Sequence, residues 1–132
     1  MTVPEIDDAK YISFVSFRKD GTPVPTPVWC VPYEGGYAFT TEVKSWKVKR
    51  VLANPKVTIQ VCNMRGRVKP GTNVYSGTAE LLDADATGEV RERVKRKYRI
   101  AYQLLIERSD RKAARRGEAL TVATAAIKVM LQ

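Results

Sequence analysis

The stretch that decides the fold is YAFTTEVKSWKVKRVLANPKVTIQVC, residues 37–62. Its first five residues, 37–41, are aromatic, small or β-branched and predict a strand. Val48, Val51 and Leu52 then recur at helical spacing, and the proline at position 55 stops that run, so we expect a short helix at about 45–53. A strand follows at 57–62, where apolar and polar residues alternate.

Extended segments lie on both sides of this stretch. Residues 11–17 and 23–33 are predicted strands joined by an Asp20-Gly21 hairpin turn, and the prolines of 23–28 make that part an edge or irregular. Residues 1–10 form an arm with a short helical turn near Asp7–Ala9. Downstream, 73–82 is a predicted strand in which Gly77 indicates a bulge or a close backbone approach, and 119–131 is the last predicted strand.

A longer helix is predicted to follow Asp83 or Asp85, either of which can cap it. Its buried stripe consists of Val90, Val94, Tyr98, Ala101 and Leu105. The order of strands, short helix, strands, long helix and strand predicts one α+β domain over 1–132. That domain is mainly β, and we expect its curved antiparallel sheet to close into a small barrel.

Composition excludes several kinds of protein. The chain of 132 residues has 23 basic and 14 acidic residues, a net charge of +9, which favours anionic partners. It has no histidine, which removes the commonest general base and most catalytic zinc sites, so no metal site is predicted. Cys30 and Cys62 are interpreted as small buried hydrophobic residues of a reduced protein. With no signal peptide and no apolar run of about 20 residues, we expect a cytoplasmic protein that does not bind membranes.

The junction before the short helix is a candidate phosphate site. Ser45 stands where an N-cap belongs, and the preceding strand ends in Thr40-Thr41. Lys47 and Arg50 are three residues apart and share a helix face, whereas Lys49 is predicted to point away from that pair. A phosphate would gain hydroxyl donors from Thr41 and Ser45 and positive charge from the pair. The alternative is a solvated basic helix face with an ordinary serine cap.

The second basic cluster, residues 91–116, holds eleven Lys or Arg and three acids. A solvated helix surface with a basic tail explains it, and nucleic acid or an acidic partner is the alternative. Only Tyr98 and Tyr102 interleave with these charges, so base stacking is not indicated and nucleic acid is an unlikely partner. Trp29 and Trp46 flank the candidate phosphate site, and each is either part of the core or the cover of a planar ligand.

Several short motifs, in their order, resemble the flavin/deazaflavin oxidoreductase superfamily. They are Arg18-Lys19-Asp20-Gly21-Thr22-Pro23, Val24-Pro25-Thr26-Pro27-Val28-Trp29, Thr40-Thr41, Ser45-x-Lys47-x-Lys49-Arg50, Asn54-Pro55-x-Val57, Arg65-Gly66-Arg67, Gly77-Thr78-Ala79 and Lys97-Tyr98. Within the superfamily the chain is most similar to the actinobacterial branch that binds the deazaflavin coenzyme F420. The resemblance covers about residues 10–105 and, more loosely, the end of the sequence. It implies the split β-barrel of pyridoxamine 5′-phosphate oxidase-like and FMN-binding proteins, with a short cofactor-binding helix and a longer helix in the C-terminal half.

The resemblance also implies a homodimer with two cofactor sites at its interface. The implied cofactor contacts are Pro27, Val28, Trp29, Thr40, Thr41, Ser45, Trp46, Lys47, Arg50, Cys62 and Asn63. Among them, Thr41, Ser45, Lys47 and Arg50 would hold the phosphate or the acidic tail of the cofactor, since coenzyme F420 carries a phosphodiester and a glutamate tail. Trp46 is a departure, because members of the branch often have glycine there. An indole at that position could narrow the site or stack against the tail.

The activity that the resemblance implies is hydride transfer from reduced F420 to an unsaturated small-molecule substrate, with the chemistry supplied by the cofactor. No catalytic side chain and no proton donor is identified. Three alternatives stay open: an FMN-binding oxidoreductase, a non-enzymatic flavin or deazaflavin carrier, and, least favoured, a basic nucleic-acid-binding barrel. The last predicts positive charge on the outer face of the long helix rather than in a cleft.

Overall fold

A computed structural model describes residues 2–101, 104 and 124–132. In chain order its elements are α1 (Pro4–Asp7), β1 (Tyr11–Phe17), β2 (Pro23–Val28), β3 (Val31–Tyr33), β4 (Gly36–Glu42), α2 (Trp46–Ala53), β5 (Lys56–Cys62), β6 (Tyr75–Leu81), α3 (Ala84–Lys97) and β7 (Thr124–Leu131). The class is α+β and mainly β, as predicted. Residues 102, 103 and 105–123 lie outside the described part, and with them the predictions for Tyr102, Leu105, most of the basic tail and positions 119–123.

All seven strands form one antiparallel sheet in the order β2-β1-β5-β6-β7-β4-β3. The sheet is a curled half-barrel around a core in which Phe14 of β1 meets Phe39 of β4 edge to face, with 4.7 Å between ring centroids. A second apolar cluster lies on the other face, where Val90 and Val94 of α3 pack against Ala38 of β4. Because β4 is buried on both faces, its sequence shows little alternation.

Local sequence cues account for the ends of the elements. Ser45 caps α2 and Asp83 caps α3, each through a side-chain oxygen that accepts a backbone N–H three residues on. Gly21 adopts φ +88° in the predicted hairpin turn. A Cβ on Gly77 would lie 2.5 Å from the carbonyl oxygen of Met130. The predicted close backbone approach is therefore confirmed.

Three predicted boundaries were wrong, and tertiary contacts explain each difference. The N-terminal helical turn lies at Pro4–Asp7 rather than near Asp7–Ala9, since Pro4 starts it and Tyr37 holds its end. The segment 23–33 is two strands, interrupted at residues 29 and 30. The strand predicted at 73–82 is β6, which begins at Tyr75. The N–H of Asn73 donates to the Glu5 carboxylate rather than to a neighbouring strand.

Candidate functional site

Two clefts adjoin α2, and they lie toward opposite ends of β1. The first, which we name the Trp29 cleft, has a volume of about 330 Å³. It forms where the start of β1, the end of β2, the end of β4 and the first turn of α2 meet. Its lining residues are Tyr11, Pro27, Val28, Trp29, Thr40, Thr41, Lys47 and Met64. Six of the eleven predicted cofactor contacts therefore lie together.

Hydroxyl groups and one cation converge where β4 leads into α2. The Thr41 hydroxyl donates to Oγ of Ser45 at 3.3 Å, and the same Oγ accepts the N–H of Val48 at 3.4 Å. Lys47 is half-buried beside them. Its pKa is lowered mainly by burial and, to a smaller extent, by the positive charge of the neighbouring Arg50. No carboxylate lines the cleft among the described residues. This edge of the cleft can therefore bind an anionic group.

Trp29 forms a flat wall of the cleft, held from behind by the end of α3. Its ring stacks on Tyr98 with 4.7 Å between centroids and 7° between planes. The Tyr98 hydroxyl donates to the carbonyl oxygen of Cys30 at 3.2 Å, and the Lys97 ammonium donates to the same oxygen at 2.8 Å. Burial raises the pKa of Tyr98 and lowers that of Lys97. Trp29 is thus partly buried against Tyr98 and also borders the cleft.

The second cleft, which we name the Trp46 cleft, has a volume of about 470 Å³. It is lined by Phe17, Arg18, Lys19, Trp46, Lys49, Arg50 and Ala53. Nε of Arg50 donates to Oγ of the fully buried Ser16 at 2.7 Å. Burial lowers the pKa of Arg50, as does nearby Arg18. Arg50 and Lys47, which were expected to bind one phosphate together, therefore line different clefts.

Lys49 was predicted to point away from the pair formed by Lys47 and Arg50, and with respect to Arg50 that prediction was wrong. Its ammonium lies 4.3 Å from the ring centroid of Trp46, and it lines the same cleft as Arg50. The helical angle places Lys49 away from Lys47, but the long side chain reaches back one turn onto the indole, where a cation–π contact holds it. Trp46 itself is 70% exposed, so it is not a core residue.

Cys62 and Asn63 do not line either cleft. Cys62 is buried at the end of β5, where its backbone is paired with Tyr11, and Cys30 is buried as well. The Asn63 carboxamide oxygen accepts the N–H groups of Arg65 and Arg67, so it shapes a tight loop. These findings agree with the interpretation of both cysteines as buried hydrophobic residues. A contact of Cys62 or Asn63 with a cofactor stays a prediction.

Sequence reasoning missed Tyr11 and Met64 in the Trp29 cleft. The signal for Tyr11 was the hairpin register, because Ile12 pairs with Val28 and so brings the start of β1 beside the end of β2. Met64 enters through the loop after β5, whose Gly66 lies against Pro27, and no sequence pattern indicated that contact. Sequence reasoning also missed Phe17, Arg18 and Lys19 as members of a cleft.

No helix in the described ranges is long and apolar enough to cross a membrane. Within the same residues, no three histidine, cysteine, aspartate or glutamate side chains come together in a way that could hold a metal ion.

The sheet order and the two flanking helices now allow comparison with known proteins. The sequence signature described as pyridoxamine 5′-phosphate oxidase matches residues 3–128. The chain belongs to the pyridoxamine 5′-phosphate oxidase family. This confirms the predicted split β-barrel and the resemblance to the flavin/deazaflavin oxidoreductase superfamily. No curated protein sequence matches the chain significantly.

Solved structures share the fold of this family member at low sequence identity. An F420 reductase is 20% identical with a TM-score of 0.64, and the match covers 97% of this chain and 90% of that one. An FAD-binding protein from Mesorhizobium loti is 15% identical with a TM-score of 0.64, covering 97% and 85%. The heme storage protein HutZ from Vibrio cholerae is 11% identical with a TM-score of 0.63, covering 96% and 84%. The fold alone therefore does not select one cofactor.

Proposed function

We propose that the protein is an oxidoreductase that binds coenzyme F420 in the Trp29 cleft. The observation that carries the proposal is the junction of β4 and α2, where Thr41, which is hydrogen-bonded to Ser45, and Lys47 line the same cleft as the flat ring of Trp29. A planar ring with an anionic arm matches that arrangement in shape and in charge. The similarity to an F420 reductase supports the same choice.

Each group of residues has a distinct part in this proposal. Lys47 and the Ser45 hydroxyl, whose own proton stays free when it accepts from Thr41, bind the anionic arm, and the free N–H groups of the first turn of α2 add positive potential there. Trp29, with Tyr98 behind it, orients the ring and excludes water from one side. Pro27 and Val28 border the ring along the end of β2. When bound, the reduced cofactor supplies a hydride for an unsaturated small-molecule substrate.

The size of the Trp29 cleft supports a homodimer. About 330 Å³ is at the small end of the range, about 300–1,000 Å³, that encloses ligands of drug size, and a deazaflavin with its tail is larger. We therefore propose that each chain is a single domain and that a second copy of the chain supplies the remaining wall of the cleft. The free thiols of Cys30 and Cys62 agree with a cytoplasmic location.

Cofactor titration tests the proposal. Purified protein is titrated with F420 and, separately, with FMN, and cofactor fluorescence gives each Kd. We expect saturable F420 binding that is tighter than FMN binding. Tighter FMN binding would select the FMN alternative, and failure to bind either cofactor would refute the proposed function.

Variants of α2 and its approach then locate the site. Lys47→Ala removes a charge-assisted hydrogen bond, so the Kd for F420 should rise about 10-fold or more. Lys44→Ala is the matched control, because it removes the same charge from an exposed position two residues before α2 and outside both clefts. Arg50→Ala decides whether Arg50 also contacts the cofactor. Equal effects of Lys47→Ala and Lys44→Ala would mean that only the general charge matters.

A carrier that binds the cofactor without using it is the second candidate, because no carboxylate lines the cleft among the described residues and Tyr11 is the one phenol in that lining. Oxidation of reduced F420 in the presence of conjugated carbonyl compounds separates an enzyme from a carrier. The similarity to a heme storage protein is a weaker guide, since the chain has no histidine to serve as an axial ligand.

The nucleic-acid alternative loses support from the charge distribution. On α3, Arg93 pairs with Glu89 and Lys95 pairs with Glu92, so part of the outer basic face is compensated. Basic residues also line both clefts beside α2, which is where a small anionic ligand, rather than a duplex, would reach them.

A further inference from the structure

We propose that the Trp46 cleft is a second ligand site, separate from the Trp29 cleft, and that it takes a small phosphorylated molecule with a planar aromatic ring, such as a mononucleotide. The proposal does not depend on the cofactor assigned to the Trp29 cleft. It rests on the charge, the built-in geometry and the exposed aromatic ring of the Trp46 cleft.

The cleft concentrates positive charge that is only partly compensated by nearby acids. Four cations line it, Arg18, Lys19, Lys49 and Arg50, and its described lining holds no carboxylate. Within the described residues, no salt bridge joins any of the four to an acid. Asp20 on the hairpin turn is exposed; its carboxylate accepts the N–H of Thr22 and also interacts electrostatically with Arg18, so Arg18, one of the four, is partly neutralised. Bringing like charges together is unfavourable, so an anion that binds here relieves their repulsion.

One of the cations is held in place by the core of the protein. The Ser16 side chain is fully buried, and its hydroxyl accepts the Nε–H of Arg50 at 2.7 Å. That hydrogen bond uses only the Nε–H of the guanidinium, so the N–H groups on the two Nη nitrogens can donate to a bound anion. A cation fixed in this way loses less side-chain entropy when it binds a phosphate than a free surface arginine does.

The aromatic part of the cleft is exposed to an unusual degree. Trp46 is 70% exposed on the first turn of α2, and Lys49 lies over its ring. An indole beside fixed cations is suited to stacking with a planar ring that carries a phosphate. The volume of about 470 Å³ is sufficient for a ligand of mononucleotide size.

Strand geometry separates this cleft from the first one. Tyr11 borders the Trp29 cleft and Phe17 borders the Trp46 cleft, and these residues are the two ends of β1. At about 3.3 Å per residue, the two ends are about 20 Å apart. The clefts share no lining residue. The clefts approach each other only at α2, where Trp46 and Lys47 are consecutive residues, so a small ligand can occupy one cleft without filling the other.

The experiment is calorimetric titration of the purified full chain with 5′-AMP, adenosine and inorganic phosphate. The proposal requires that 5′-AMP binds at least about 10-fold more tightly than either fragment, because the ring and the phosphate both contribute. It also requires that added salt weakens 5′-AMP binding. The absence of saturable 5′-AMP binding, or binding no tighter than that of phosphate alone, would overturn the proposal.

Variants test the location of the ligand. Arg50→Gln should raise the Kd for 5′-AMP about 10-fold, and Trp46→Leu should raise it at least about 5-fold. Since Arg50 is tied to a buried serine, Lys19→Gln provides a second charge variant at an exposed position that leaves the core intact. Arg91→Gln on α3 is the control for general charge, and its Kd should stay unchanged. If Arg91→Gln weakens binding as much as the cleft variants do, the site is elsewhere.

Competition distinguishes a separate site from an extension of the cofactor site. Saturating F420 should leave the Kd for 5′-AMP unchanged. Displacement of 5′-AMP by F420 would overturn the proposal by showing that one ligand fills both clefts, while leaving the proposed oxidoreductase function intact. Conversely, 5′-AMP binding in a protein that binds neither F420 nor FMN would support the second site and refute the proposed function.

Discussion

Removing the two side-chain donors to the Cys30 carbonyl should cost more together than separately. Tyr98→Phe removes the hydroxyl that donates at 3.2 Å but keeps the ring stacked on Trp29, and Lys97→Met removes the ammonium that donates at 2.8 Å. In each single variant the other donor still reaches the oxygen. We therefore expect each to lower the free energy of unfolding by about 0.5–1.5 kcal/mol.

The double variant leaves the carbonyl of a residue that is 1% exposed without either side-chain donor. An unsatisfied buried acceptor costs about 1–3 kcal/mol, so the double variant should lose about 1–2 kcal/mol more than the sum of the singles. Urea denaturation followed by circular dichroism measures all four free energies of unfolding. Single-variant losses that add to within about 0.3 kcal/mol would refute the reasoning.

A control cycle pairs Tyr98→Phe with Lys95→Met. Lys95 is on the same helix, but its ammonium pairs with Glu92. These two changes should be additive within about 0.5 kcal/mol, since the ion pair of Lys95 is with the Glu92 carboxylate and the Tyr98 hydroxyl donates to the Cys30 carbonyl. The comparison separates the shared carbonyl from any general effect of removing a lysine from α3.

Three further predictions follow from burial and backbone contact. Burial raises the pKa of Cys30 to about 12, and Cys62 is buried as well. Neither thiol should therefore react with a thiol reagent at pH 8 until urea unfolds the chain. A thiol that reacts in the folded protein would contradict this prediction. Burial raises the pKa of Cys30 and Tyr37 above their ordinary values of 9.0 and 10.0, so the unfolded chain releases these protons at lower pH than the folded chain does. The two groups should therefore leave the free energy of unfolding unchanged below about pH 9 and lower it as the pH rises further. Urea titrations at several pH values measure this. Gly77→Ala should destabilise the fold by about 1–3 kcal/mol, because the added Cβ meets a backbone oxygen. Ser45→Ala should lower the free energy of unfolding by about 1 kcal/mol, because α2 loses its N-cap. Equal thermal stability of Gly77→Ala and the parent protein would contradict the first of these.

The α2 region could be predicted from sequence because its determinants are local. The Ser45 cap, the apolar spacing of Val48 and Val51, and the proline after the helix all act within a few residues of one another. The same holds for the hairpin at Gly21 and the cap at Asp83. Helix angle, however, does not decide which neighbouring element a side chain reaches, so Lys47 and Arg50 share a helix face but line different clefts, and their binding of one phosphate stays a prediction.

Contacts between distant segments could not be predicted. Tyr11 reaches the Trp29 cleft through strand register, and Met64 reaches it through a loop whose shape depends on Asn63. In the break between β2 and β3, the Cys30 carbonyl accepts from Lys97 and Tyr98 at the end of α3, which are 67 and 68 residues further along the chain. Such features depend on the tertiary arrangement, which single-sequence patterns do not contain.

The place of β7 in the sheet has a consequence for how the protein is made. Of the described strands, β2, β1, β5 and β6 form one block and β4 and β3 form another, and β7 alone joins the two blocks through backbone hydrogen bonds. β7 spans residues 124–131, so a ribosome has translated more than nine-tenths of this sequence before the two blocks can be joined. Until then the edges of β4 and β6 are unpaired, and they are the points at which a nascent chain would associate with another chain or need a chaperone.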